Sequence, residues 1–230
     1  MSRLTILLVI IISTYYQCSI AQTYNQFDNK GNRHGQWQKT FDTNKQLRYT
    51  GTFSHGQEVG TFNFYDDKGG HPTAVKVYTP DSPYIDVTFF TTDGKLVSKG
   101  KMRGRERIGE WLSYHQDGKT IMIKEHYEGG KLEGERTVYF MDTSLAQQEF
   151  YKQGLKEGKA TFYSQEKKVL KELNYKSDKL EGTAKLYNGF GQLEVQGYYK
   201  NNRKHGVWKY YKGYKVDKEI TYPRNKIGVQ

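Results

Sequence analysis

Glycine recurs with a period of about 24 residues along most of the chain. Gly35, Gly60, Gly109, Gly134, Gly158, Gly182 and Gly206 are spaced by 25, 49, 25, 24, 24 and 24 residues. The 49 is two periods once Ile85 is taken as a missing anchor. A fixed period of this length means that one supersecondary unit is repeated, and that neighbouring units must stack to bury side chains no unit can bury alone. Eight units result, anchored near 35, 60, 85, 109, 134, 158, 182 and 206.

The units share an internal grammar. Two residues after the anchor come Trp37, Phe62, Val87, Trp111, Arg136, Ala160, Ala184 and Trp208, and five after it come Tyr65, Phe90, Tyr114, Tyr139, Tyr163, Tyr187 and Tyr211. A Gly or Asp-Gly turn follows, as at Asp93-Gly94 and Asp117-Gly118, and then a second run ending on an aromatic such as Phe53, Tyr127 or Tyr199. Two aromatic and β-branched runs joined by such a turn describe a β-hairpin. The pattern predicts an all-β fold, an elongated single-layer antiparallel meander of about eight tandem hairpins. Its sixteen strands, about 4.8 Å apart, would extend roughly 75 Å. Composition agrees: 35% hydrophobic residues are poor material for a two-layer core, while 15% aromatics are too many for a disordered polyelectrolyte. Alternation places positions two and four after the anchor on one face and the Tyr ladder on the other. The anchors are expected at positive φ or where a ring crosses the backbone. Pro72, Pro80 and Pro83 cluster where the third anchor is missing, which predicts a kink or a binding loop.

The stretch Lys204-His205-Gly206-Val207-Trp208-Lys209-Tyr210-Tyr211 and its copy Arg33-His34-Gly35-Gln36-Trp37 resemble the MORN-repeat variant of exported bacterial proteins that carry an antitoxin-like label. The resemblance covers residues 31–222. It implies a twisted single-layer sheet of hairpins with a scaffolding or interaction role, in some members lipid-associated.

The chain opens with Arg3, an apolar run from Leu4 to Ile12 and the small-residue pattern Ser19-Ile20-Ala21. This reads as a secretory signal over residues 1–21, leaving 22–230 as the repeat domain and an exported location: periplasmic, cell-surface or secreted. The run is about half the length of a membrane span. Cys18 is the only cysteine, and bulky Tyr15-Tyr16-Gln17 before it fits a lipidation site poorly. Cleavage after Ala21 would leave a protein with neither disulfides nor thiolate chemistry.

Candidate sites are sparse. Glu133, Glu157 and Glu181 precede three successive anchors, but equivalent positions two strands apart lie about 9.5 Å from one another. That is too far to share a metal, and three copies lack the contrasting environments that acid–base catalysis needs. No nucleophile elbow or phosphate loop is present. The sequence therefore reads as a non-enzyme with no cofactor and no metal site, a glycan hydrolase being the weakest alternative. Charge is more informative. Residues 22–94 hold seven basic and eight acidic side chains, whereas residues 196–230 hold nine and two. Lys204, Lys209 and Lys212, interleaved with Trp208 and Tyr210, form a candidate basic-aromatic surface for anionic lipid or polysaccharide. Trp37, Trp111 and Trp208 are candidate stacking platforms for a glycan. The alternative role for the lysines is to blunt an open edge against edge-to-edge self-association. The leading reading is an exported repeat scaffold binding an unidentified protein or envelope component, with no nucleic-acid partner expected.

Overall fold

The computed structural model describes residues 23–223; the predicted signal, Cys18, Arg224 and Lys226 lie outside them. The strands are β1 (Gln26–Phe27), β2 (Arg33–Thr40), β3 (Leu47–Ser54), β4 (Gln57–Phe64), β5 (Ala74–Tyr78), β6 (Tyr84–Phe90), β7 (Leu96–Arg103), β8 (Glu106–Tyr114), β9 (Ile121–Glu128), β10 (Lys131–Leu132), β11 (Gly134–Tyr139), β12 (Leu145–Lys152), β13 (Leu155–Lys156), β14 (Gly158–Tyr163), β15 (Val169–Lys176), β16 (Lys179–Leu180), β17 (Gly182–Tyr187), β18 (Leu193–Lys200), β19 (Arg203–Lys212) and β20 (Lys215–Tyr222). The pairs β10/β11, β13/β14 and β16/β17 are single strands interrupted at Glu133, Glu157 and Glu181. With these joined, and β1 set aside as a short cap on β2, sixteen strands pair antiparallel in chain order. The described residues contain no helix. The expected meander of eight hairpins is the observed fold.

The tightest turns lie between units rather than within them. His55-Gly56, Gly129-Gly130, Gln153-Gly154, Ser177-Asp178 and Asn201-Asn202 all have positive φ at both residues, the backbone of the two-residue hairpin turn that matches strand twist. Each of the seven anchor glycines also has positive φ, from 61° at Gly109 to 113° at Gly182. The anchors open bulges. Thr50 pairs with Asn63 and Thr52 with Val59, so Gly51 alone faces the three residues Gly60 to Phe62. Such a bulge bends and twists the strand; it recurs where an anchor glycine is present, as at Gly109 and Gly206, and is missing in the third unit, where Ile85 replaces the glycine.

A second set of glycines has a different task. A Cβ on Gly51 would lie 2.3 Å from the Phe62 ring, on Gly100 2.4 Å from Trp111, and on Gly197 2.2 Å from Trp208. Here an aromatic ring of one unit lies flat on the backbone of the unit before it. The corresponding pair at the other unit boundaries is Lys76–Val87, Glu125–Arg136, Glu149–Ala160 and Leu173–Ala184. At six of these seven boundaries a large side chain meets a small one, or opposite charges meet, in a row that crosses the whole sheet; at the other, Lys76 meets Val87. Phe62, Val87, Trp111, Ala160, Ala184 and Trp208 in this row are only 1–2% exposed. The anchors were expected to satisfy one of two requirements, and the structure divides those requirements between two glycine sets.

The proline-rich segment does not kink the ladder. β4, β5 and β6 pair without a register shift, and Pro72, Pro80 and Pro83 sit in the flanking loops, where a missing N–H donor removes no ladder bond.

Candidate interaction surface

The face that carries this row is closed by its own side chains. Trp111 and Trp208 are 1% exposed, and their indole Nε1 groups donate to the carbonyls of Lys101 (3.0 Å) and Tyr198 (3.1 Å). Neither can serve as a glycan platform, because both ring faces are occupied. Trp37 is half-buried, donates to the Gln26 carbonyl at 3.1 Å and has Phe27 edge-on at 5.2 Å, with the Arg33 guanidinium 5.0 Å from its ring. Lys204 is also drawn into the packing. Its Nζ lies 4.1 Å from the Trp208 ring centre and 5.2 Å from that of Tyr222, and donates to Tyr210 Oη at 3.2 Å. Arg107 takes the same place over Trp111, at 4.2 Å. In these units the residue two before the anchor, Arg33, Arg107 or Lys204, is thus a cationic lid on the packed Trp, whereas the second unit has Glu58 there. Of the remaining candidates, Tyr210 is half-buried, Lys209 is exposed and pairs with Glu219 at 3.3 Å, and Lys212 is exposed.

In the middle of the row the packing becomes ionic. Arg136 Nε donates to Glu125 Oε1 at 2.9 Å and its Nη1 to Glu149 Oε2 at 3.2 Å, while Lys156 Nζ meets Glu149 Oε1 at 2.5 Å. Tyr127 and Tyr151 donate to Glu125 and Glu149 at 3.0 and 3.2 Å. Glu149 is 1% exposed. Burial pushes its carboxyl up, but the hydrogen bond and charge of Lys156, together with hydrogen bonds from Gln147 and Tyr151, hold it below the usual range. The sequence signal for this cluster was Arg136, the one charged residue in an otherwise apolar column; what it paired with was not legible.

The three glutamates before the anchors are turn clamps. Glu133, Glu157 and Glu181 accept the backbone N–H of Gln153 (2.7 Å), Ser177 (2.9 Å) and Asn201 (2.8 Å) in the following two-residue turns. His34, at the equivalent position, accepts from the His55 N–H at 3.5 Å. Each carboxylate has its own turn to hold, and among the described residues no group of three or more His, Cys, Asp or Glu is placed to hold a metal ion.

The opposite face is polar and open. Cross-strand ion pairs join Lys101 to Asp86 and Lys124 to Glu110 at 2.8 Å each, and Lys159 to Glu172. Tyr187 Oη donates to Glu172 at 2.9 Å, and burial, followed by this carboxylate, pushes its phenol up to about 12. Two adjoining grooves of about 440 and 400 Å³ share Glu110; Lys124, His126 and Glu135 line one, and Asp86, Lys99 and Lys101 the other.

A family model described as the MORN repeat variant matches residues 156–177 and 180–201. These two stretches are MORN-variant repeats. Each match begins at or next to the cationic or apolar lid two before the anchor and ends in the next two-residue turn, so the MORN unit coincides with the hairpin unit of the sheet. The same pairing of anchor glycine with second-run aromatic recurs at Gly35–Phe53, Gly60–Tyr78, Gly109–Tyr127, Gly134–Tyr151 and Gly206–Tyr222, while the third unit sets Ile85 against Met102. A search of curated proteins finds no match to the chain.

Proposed function

We propose that the protein is an exported, non-enzymatic MORN-type scaffold whose open polar face binds a protein or envelope component. The observation that carries this reading is the asymmetry of the sheet. One face is consumed by packing along its full width, and the other presents charged and hydroxyl side chains in ladders with shallow grooves. Exposed ion pairs of this kind add little stability, which leaves them free to be exchanged for contacts with a partner. The test is cross-linking in the envelope fraction of source cells, comparing the wild type with a Lys99→Glu/Lys101→Glu/Lys124→Glu variant. The reading expects a cross-linked component that the folded variant loses. No loss, together with turnover on a panel of glycans, would reverse it.

The exposed tip of the last hairpin supports a second reading. Tyr214 is 91% exposed and stands between exposed Lys212 and Lys215, an aromatic-basic tip suited to an anionic headgroup or polysaccharide. Lys212→Gln/Lys215→Gln should weaken sedimentation with anionic vesicles in a salt-dependent way. Lys204→Gln should act on stability instead. Equal vesicle binding by the double variant and the wild type would remove this reading.

A further inference from the structure

β20 is nearly a second copy of β15. Val216-Asp217-Lys218-Glu219-Ile220-Thr221-Tyr222 repeats Val169-Leu170-Lys171-Glu172-Leu173-Asn174-Tyr175 with Val, Lys, Glu and Tyr at the same places and Ile220 for Leu173. The outer edge of β15 is taken by β16 and β17, with Tyr175 opposite Leu180, Glu172 opposite Lys185 and Lys171 opposite Leu186. There Leu173 packs on Ala184, and Glu172 receives the Tyr187 hydroxyl at 2.9 Å. Among the described residues β20 pairs only with β19, and Lys215 to Glu219 are exposed.

We propose that the outer edge of β20 binds a β-strand of another protein that carries the pattern of β16 and β17: apolar-Glu-Gly-x-Ala-x-apolar-Tyr, with alanine against Ile220. The boundary rule selects the alanine. At the three boundaries with glycine the incoming residue is Phe62, Trp111 or Trp208, and at the one with leucine, Leu173, it is Ala184. Glu219 already pairs with Lys209 on the inner strand, as Glu172 does with Lys159, and would then gain the hydroxyl that Tyr187 gives Glu172. A second copy of this chain fits poorly at either edge. The N-terminal β2 brings Trp37, which the rule matches with glycine and not with Ile220. A β20–β20 pair sets Lys218, Ile220 and Tyr222 against one another, none of them small. Strand addition of this kind takes affinity from main-chain bonds and specificity from alternate side chains. The inference rests on the scaffold reading, for which it names a partner class, and it fails separately: loss of the polar-face cross-link leaves it standing.

The test uses protein spanning residues 22–230 and two peptides, residues 179–187 as they stand and the same peptide with Ala184→Trp. The expected result is saturable binding of the alanine peptide that slows hydrogen exchange at outward amides of β20, with at least tenfold weaker binding of the Trp peptide. Ile220→Gly should reverse that preference. If this variant does not fold, the comparison of peptides on the wild type decides alone. Equal binding of the two peptides, no binding at millimolar peptide, protection elsewhere than β20, or concentration-dependent dimerisation that protects β20 would each overturn the inference.

Discussion

Gly197→Ala adds one methyl group, and the structure predicts a large effect. The new Cβ would lie 2.2, 2.3 and 2.6 Å from Cδ2, Cε2 and Cγ of Trp208, where carbon atoms need about 3.5 Å or more. The indole is 1% exposed and held by its bond to the Tyr198 carbonyl, so relief requires moving a buried ring by more than 1 Å or separating β18 from β19. Overpacking costs about 1–3 kcal/mol and loss of a buried Trp about 3–5, which puts Gly197→Ala near 3 kcal/mol. Gly158→Ala is the control. Gly158 has φ of 86° and nothing within 4 Å of the added atom, so only backbone strain of about 1–2 kcal/mol is expected. The decisive variant is Gly197→Ala/Trp208→Ala, which removes the clash by making both residues small. It should be no less stable than Trp208→Ala alone, a coupling of about 3 kcal/mol. Because repeat arrays can depart from two-state unfolding, hydrogen exchange of β18–β20 amides should accompany urea denaturation. Additive single-variant losses, or Gly158→Ala exceeding Gly197→Ala, would refute the packing rule.

Glu149→Ala leaves Arg136 and Lys156 without their shared carboxylate and should cost about 3–5 kcal/mol, measured by urea denaturation at pH 7. Glu149 and Glu172 are both held below the usual carboxylate range, Glu172 chiefly by its hydrogen bond from Lys159. Their stabilisation is therefore present above the unfolded value of about 4.3 and lost as pH falls through the depressed folded values; a urea midpoint unchanged between pH 5 and pH 2.5 would contradict this. Glu157→Ala should speed hydrogen exchange at Ser177, whose N–H it frees, whereas Glu157→Gln keeps an acceptor and should change it much less.

The architecture was legible because its signals repeat. A glycine every 24 residues, an aromatic five later and a turn after it recur in unit after unit, and alternation then fixes the faces. Pairing between units was harder to read. Gly51, Gly100 and Gly197 look like ordinary strand glycines until the register sets them under Phe62, Trp111 and Trp208, eleven residues on in each case. The same interval joins Glu125 to Arg136, so the ionic centre was encoded by a spacing that the search for anchor glycines passed over. The packing of Trp111, Trp208 and Lys204 was not legible for one reason: on a single-layer sheet an aromatic appears exposed unless the lid over it is recognised. Glu133, Glu157 and Glu181 find their partners in turn amides about 20 residues later, which no local pattern announces.

The central claim is that the described residues form one open sheet with no second layer from Gln26 to Tyr222, and small-angle scattering from monodisperse protein spanning residues 22–230 tests it most directly. Sixteen strands about 4.8 Å apart and about 25–30 Å long correspond to a radius of gyration of about 23 Å. A compact globule of the same length would give about 17 Å. The account predicts the larger value with a distance distribution tailing to about 75 Å or beyond. A symmetric distribution with the smaller radius would show that the hairpins fold back on one another, and would contradict both the open polar face and the free edge of β20.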